Sequence, residues 1–205
     1  MNVMKFFHLA ETDAEKVVLR RESFVFFLWN ESRRVEFSLE KPGASASIFA
    51  LFIGKNADAF SASIVQHHRK PDTHSSLVVL SILDGRAVFS YDGLIRIERE
   101  AVRADASQMN RNLLMSEHAK ASASPQLEIL AHDVTARHAS ATGTTNGDAM
   151  FFLEARGLKR ENAKKLLAEG ALHDFFNEMR KRTDDPAVDL LEKEALEKLG
   201  LLQKD

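Results

Sequence analysis

From residue 17 to residue 97 the chain repeats one pattern: a short apolar burst, a cluster of turn-forming residues, then another burst about 7 to 15 residues after the last one began. The bursts are Val17-Val18-Leu19, Phe24 to Trp29, Val35 to Leu39, Ala46 to Ile53, Ala59 to His68, Thr73 to Ile82 and Arg86 to Ile97. Between or within them stand Asn30-Glu31-Ser32, Lys41-Pro42-Gly43, Gly54-Lys55-Asn56, Lys70-Pro71-Asp72, Asp84-Gly85 and Asp92-Gly93. Glycine tolerates positive φ, proline presets φ, and Asn and Asp bond their own backbone, so each cluster reads as a turn. No helical period runs through this half, which is therefore a β region of many short strands. Sandwich, barrel and parallel β-helix all give such spacing, and no crisp repeat chooses among them. FVFFLW and SIFALFI are nearly apolar throughout, whereas other bursts alternate with Ser and Arg. That mixture suits a flattened solenoid in which some strands are also covered outside, and a hairpin sandwich almost as well.

The pattern changes in the last third. Leu127, Ile129 and Val134 still read as strand, and Ala139 to Gly147 reads as a small-residue hinge. Asn146 or Asp148 is then placed to cap a turn leading into Ala149 to Leu153, with Gly157 where a left-handed C-cap residue belongs. A helix is expected over Leu158 to Glu169, with Ala163, Leu166 and Leu167 on one face and Gly170 as its punctuation. Leu172, Phe175, Phe176 and Met179 follow at helical spacing. Thr183-Asp184-Asp185-Pro186 breaks the chain before a third helix over 186–202, carrying Val188, Leu191, Ala195, Leu199 and Leu202. The expected division is a β core over 1–143, opening on a ragged lead-in or edge strand, and a helical unit over 144–205.

Composition removes several functions. Net charge is −2 with acids and bases interspersed, so nothing suggests a nucleic-acid partner. No apolar run approaches the roughly 20 residues that span a bilayer, and MNVMKFFHLAETD is a poor secretory signal, so a cytoplasmic chain is expected. The chain has no cysteine, which excludes disulfides, thiolate nucleophiles and zinc fingers together. Gly143 to Gly147 lacks a following Gly-Lys-Ser/Thr and is no phosphate loop. Ser75, Ser76 and Ser140 lie near histidines without a nucleophile-elbow pattern. Asp105, Asn110, Arg111 and Asn112 read as a hydrogen-bond ladder. His67 and His68 are adjacent and face opposite sides of a strand, so they cannot chelate one ion together. His132 and His138 would lie roughly 20 Å apart on an unbroken strand. His74 lies beyond the Pro71 turn, within reach of His67 only across neighbouring strands. His8, His118 and His173 read as surface or boundary residues, and none of these histidines makes a zinc site. His138, at the change from strand to helix, is the remaining candidate ligand; its bland reading is a strand-end histidine bonded to the neighbouring coil.

One set of motifs runs in a fixed order over roughly residues 60 to 172. It comprises His67-His68 with Pro71-x-Thr73-x-Ser75, Asp84-Gly85-Arg86-Ala87, Gln108-x-Asn110-Arg111-Asn112-Leu113-Leu114, Pro125-x-Leu127-Glu128-Ile129, and Phe151-Phe152-Leu153-x-x-Arg156-Gly157-Leu158 followed by Ala163 and Leu166-Leu167. Together they resemble the SufB/SufD family of iron–sulfur assembly proteins, and its D branch more closely. The chain departs from that family in two ways. It is short, as if an N-terminal helical region and some coils were missing. An HGAT-like motif reads His138-Ala139-Ser140-Ala141, with Ala136 where relatives often carry cysteine.

The resemblance implies a right-handed parallel β-helix followed by C-terminal helices, acting as a non-catalytic scaffold subunit. It implies pairing with a SufB-type or identical subunit near the end of the solenoid, where Glu128, Val134 and His138 would lie at the dimer interface. It implies an ABC-type, SufC-like ATPase docked on the helices, through Arg156, Gly157, Leu158, Leu166, Leu167, Phe175 and Phe176. The packing alternative for the apolar helical residues is a cap over the solenoid end. His138 matches a family histidine that resembles an iron or cluster ligand. Clusters are held mainly by thiolates, so a cysteine-free chain binds none alone, and the implied iron–sulfur cluster is shared transiently with a partner. Two other readings stand beside this one: a stand-alone homodimeric β-helix without cluster work, and a polysaccharide-processing β-helix enzyme. The enzyme would line one sheet face with carboxylates, and the strands here offer few.

Overall fold

A computed structural model describes residues 4–9, 14–20, 23–145 and 147–201. Asn146, Leu202 and much of the expected lead-in segment lie outside the described residues. Eleven strands follow in chain order: β1 (Lys5–His8), β2 (Lys16–Leu19), β3 (Ser23–Trp29), β4 (Arg33–Leu39), β5 (Ser45–Gly54), β6 (Ala59–His68), β7 (His74–Leu83), β8 (Val88–Ile97), β9 (Asp105–Leu114), β10 (Lys120–Ile129) and β11 (Thr135–Thr144). Odd strands form one sheet, β1-β3-β5-β7-β9-β11, and even strands the other, β10-β8-β6-β4-β2. All the pairings are parallel. The chain therefore coils as a two-sheet β-solenoid, and the sandwich of hairpins is excluded.

No repeat is visible in the sequence because the coil has no single length. Phe24 lies beside Lys5 and Ser45 beside Ser23, steps of 19 and 22 residues. His74 beside Ser45 and Asp105 beside His74 are steps of 29 and 31. Corners carry the positive-φ residues: Asn30, Gly43, Asn56, Asp72, Gly85 and Arg103. Arg103 is the one without a turn propensity, and its guanidinium meets Asp72 of the preceding coil at 2.6 and 2.8 Å.

Asp92-Gly93 is not a turn. It lies inside β8, where glycine serves space: a Cβ on Gly93 would sit 2.2 Å from the Tyr91 hydroxyl and 2.4 Å from Gln108 Nε2. Nor is Ala139 to Gly147 a hinge as far as Thr144. Its small residues extend β11, whose Ser140 and Thr142 accept from the amides of Asn110 and Asn112. The expected ladder through Asn110 and Asn112 is thus present.

Apolar side chains from both sheets fill the coil, among them Phe26, Phe37, Ile48, Phe52, Leu77, Val79 and Phe89. A second cluster lies outside it. Val25, Phe27, Phe49, Leu51, Ile53, Leu80 and Ile82 project from the outer face of the odd-numbered sheet. They meet Leu172, Phe175, Phe176, Met179, Val188, Leu191 and Ala195 of the helices. β5 is consequently buried at nine of its ten residues, covered on both faces.

Three helices follow among the described residues: α1 (Asp148–Ala155), α2 (Arg160–Arg180) and α3 (Ala187–Leu199). They do not cap the solenoid. α2 and α3 lie along the side of the coil, anchored to its first turn where Thr183 Oγ1 donates to the Met4 carbonyl at 2.9 Å. Gly147, without a side-chain bond, is the N-cap of α1, and Gly157 (φ 88) turns the chain out of that helix as expected. Gly170 does not divide the next two expected helices: α2 runs through it, because the packing of Ala168, Leu172 and Phe175 outweighs the weak helix propensity of one glycine. A Cβ at Gly170 would meet nothing within 4 Å. Gly170→Ala is therefore expected to stabilise the protein by about 1 kcal/mol, read as a higher urea midpoint at unchanged slope.

Candidate functional site

The last coil is built from β10 and β11, each paired on one side only among the described residues. Its inward columns are open. Leu127 continues the column of Ile95 and Ile129 that of Ile97; exposure rises from 0% at Ile95 and Ile97 to 40% at both residues of β10. Leu130, at the following corner, is 46% exposed. Two ten-residue strands thus present free backbone edges beside uncovered apolar side chains, which is the surface a strand edge offers a partner.

His138 stands on this open coil, in the inward column that runs Ile48, Leu77, Gln108, His138. Its ring is exposed and makes no hydrogen bond or ion pair among the described residues. Glu128 faces outward on β10, paired with Arg96 Nη2 at 3.0 Å. Val134 occupies the corner between β10 and β11 and, with Ala136, packs against the small buried cluster that includes Ile95, Ile97 and Ala106. All three residues therefore belong to the last coil. Among the described residues no group of three or more His, Asp or Glu is placed to hold a metal ion. His138 is accordingly a single imidazole donor, able to complete a coordination sphere whose other ligands come from elsewhere.

Of the other histidines, His67 and His68 are held in hydrogen-bond networks of the coil. His132 sits in the corner before β11 rather than on a strand with His138. His67 points outward between two carboxylates, with Nδ1 3.1 Å from Glu36 and Nε2 2.8 Å from Glu98. Burial opposes ionisation of Glu36, but His67 and Lys16 outweigh it and hold that carboxyl below the usual range. His68 points inward and is fixed by a directed chain. The Thr73 hydroxyl donates to the Lys70 carbonyl, so Thr73 Oγ1 accepts from His68 Nδ1 at 2.8 Å. Gln66 Nε2 donates to Ser75 Oγ, leaving the Ser75 proton for His68 Nε2 at 2.7 Å. This chain demands the neutral imidazole, and burial, followed by the nearby His67 and His74, lowers the His68 pKa to about 4. The His67-His68 and Pro71-x-Thr73-x-Ser75 motif is thus a locked corner of the coil.

The helical residues divide into two groups. Phe175 and Phe176 are 3% and 0% exposed, with rings 5.6 Å from Phe49 and 6.2 Å from Phe27 respectively. They hold α2 on the sheet and are unavailable for direct contact with a partner in this fold, which corrects the expectation drawn from the family. Leu166 is 46% exposed, and Leu167 lines a groove of about 890 Å³ between α2 and the outer face of β7, β9 and β11. Leu158 is half-buried, and Arg156 lies over the Phe152 ring, 3.3 Å from its centroid. Phe151 and Phe152, part of the motif set but given no contact role from the sequence, are 74% and 53% exposed on α1. The signal available was a helix of eight residues with more apolar side chains than one face can bury.

The sequence profile of the family described as SUF system FeS cluster assembly, SufBD core domain, matches residues 29–171, from the end of β3 to the middle of α2. This chain belongs to the SufBD family. An iron–sulfur cluster assembly SufBD family protein of Mycobacterium leprae is 31% identical over 165 residues, which is 77% of this chain and 41% of the relative. The iron–sulfur cluster assembly protein SufD of Escherichia coli is 37% identical over 83 residues, 40% of this chain and 19% of that protein. SufD of Bacillus subtilis is 29% identical over 126 residues, 62% of this chain and 28% of its own length. The chain thus spans about two fifths of the mycobacterial relative and less of either SufD. As a SufBD core it contains both the open coil and α1. Among its described residues no helix is long and apolar enough to cross a membrane.

Proposed function

We propose that this SufBD chain is a non-catalytic, SufD-like scaffold subunit of iron–sulfur cluster assembly in the cytosol. The observation that carries this reading is the uncapped last coil. Its two free strand edges and the exposed Leu127 and Ile129 suit a second β-helix subunit set edge to edge. The partner is a cysteine-bearing SufB-type subunit, because this chain has no thiolate of its own. Glu128, Val134 and His138 then lie at the junction, and the unpartnered His138 imidazole joins the partner's thiolates in holding iron or the growing cluster, which is cargo and not a resident group. The helical face takes an ABC-type ATPase: Phe151, Phe152, Arg156, Gly157, Leu158 and Leu166 present the contact. Phe175 and Phe176 support it from behind.

The test is copurification of the full chain with a cysteine-bearing SufB-type subunit and the ATPase encoded with it. A stable three-part complex is expected. His138→Ala is expected to change folding stability by less than about 0.5 kcal/mol, the usual range for an exposed site, and to retain the complex while losing cluster absorbance. A chain that forms only homodimers and ignores both partners would support the stand-alone reading instead. A monomer under all these conditions would overturn the use of the open coil.

A further inference from the structure

The core of the solenoid changes character along its axis. Where β5 places Ile48, Ala50 and Phe52 inward, β9 places Gln108, Asn110 and Asn112 in the same columns. Asn112 is matched, accepting from Ser81 and donating to Thr142. Its neighbours are not. Gln108 is 3% exposed and neither its Oε1 nor its Nε2 meets a protein partner, so rotating the amide would not help. The Tyr91 hydroxyl, Gln66 Oε1 and Asn110 Oδ1 are also buried without a protein partner, on residues 1%, 0% and 1% exposed. Buried polar atoms in folded proteins are almost always bonded, to protein or to ordered water.

These groups converge. Tyr91 and Gln108 approach the same point, the place a Gly93 side chain would occupy. Gln66 crosses the coil to bond the Ser107 carbonyl at 3.1 Å, one residue before Gln108. Asn110 is two residues further along β9 and faces the same side. The inward neighbours contribute no net charge: His68 is held neutral by its hydrogen bonds, and burial, then the charge of Asp92, raises the Tyr91 pKa so that its hydroxyl keeps its proton. An ion here would have no counter-charge. A ligand for this set must both donate, to the three amide oxygens, and accept, from the hydroxyl and the amide nitrogen.

We propose that Tyr91, Gln108, Gln66 and Asn110 form an internal hydration site inside the β8–β9 coil, in which ordered water meets their unpaired polar atoms, the missing side chain of Gly93 leaving room for the Tyr91 hydroxyl and the Gln108 amide themselves. Water is the small neutral molecule that donates and accepts in several directions, and a site with this many polar partners is where it persists. The proposal stands independently of any partner subunit. It gives Gly93 and Gln108 a role in the core that requires neither catalysis nor iron.

The experiment is oxygen-17 relaxation dispersion of the solvent around the full chain, which counts water molecules resident for longer than the protein takes to tumble. The wild type is expected to hold at least one, and Tyr91→Phe with Gln108→Leu to hold at least one fewer at an unchanged circular dichroism spectrum. If the double variant does not fold, Tyr91→Phe alone carries the comparison, since it keeps the ring and removes only the hydroxyl. A wild type without long-lived water, or an equal count in the folded variant, would overturn the assignment.

Discussion

Phe176→Ala is expected to destabilise the protein by about 3–5 kcal/mol, the cost of emptying a fully buried aromatic site. Phe176 is 0% exposed and touches two layers at once, with its ring 6.2 Å from Phe27 of β3 and 5.3 Å from Phe175. Its removal leaves a void between sheet and helix that neither can fill, because α2 is held at its far end by Thr183 on Met4. For a chain of this size the loss amounts to a fall in melting temperature of roughly 6–20 °C, measurable by calorimetry. Phe151→Ala is the matched control. Its ring is 74% exposed, and a change within about 0.5 kcal/mol is expected. Equal effects for the two variants would mean that the helices are not seated on the sheet as described.

Acidification is expected to unload a second determinant, at His68. Its pKa lies near 4 in the folded chain, against an ordinary 6.5. Above pH 6.5 neither the folded nor the unfolded chain protonates this ring, and it contributes no pH dependence. As the pH falls from 6.5 towards 4 the unfolded chain takes up a proton that the folded chain refuses, so stability declines. Complete loss across that window corresponds to about 3 kcal/mol. Carboxylates such as Glu36, held low by His67 and Lys16, add their own loss at lower pH. NMR separates the two: the His68 ring signals should stay fixed down to about pH 5. A ring that titrates near 6.5 would show that the Thr73–His68–Ser75 chain is not formed.

Much of this arrangement is written locally. Pro-Gly and Asn-bearing corners announce themselves because the backbone there must adopt positive φ, and Gly43, Asn56 and Gly85 are residues that do so cheaply. The nearly apolar bursts at β3 and β5 report cover on both faces, which the helices supply on the outer one. What covers them is not local. Phe27 carries no mark that says Phe176 will meet it, and the periodicity of α2 is equally compatible with capping an end. Gly93 misleads for a related reason: a glycine that follows aspartate looks like a turn until Gln108, from the opposite sheet, is brought against it. His138 was found through its surrounding motifs, and its geometry adds that it faces an open column with no partner of its own. Phe151 and Phe152 were legible as part of a motif but not as exposed, because a short helix of mixed residues gives no period from which to read the exposed side.

The lateral seat of the helices also has a consequence in time. A ribosome releases Phe27 and Phe49 well before Phe175 and Phe176, and at ordinary elongation rates of about 5–20 residues per second the interval is roughly 6–30 s. Throughout it, the outer aromatic face of the nascent sheet waits bare for a cover not yet synthesised. The newborn chain therefore passes through a stage with bare aromatic surface that the finished one does not have.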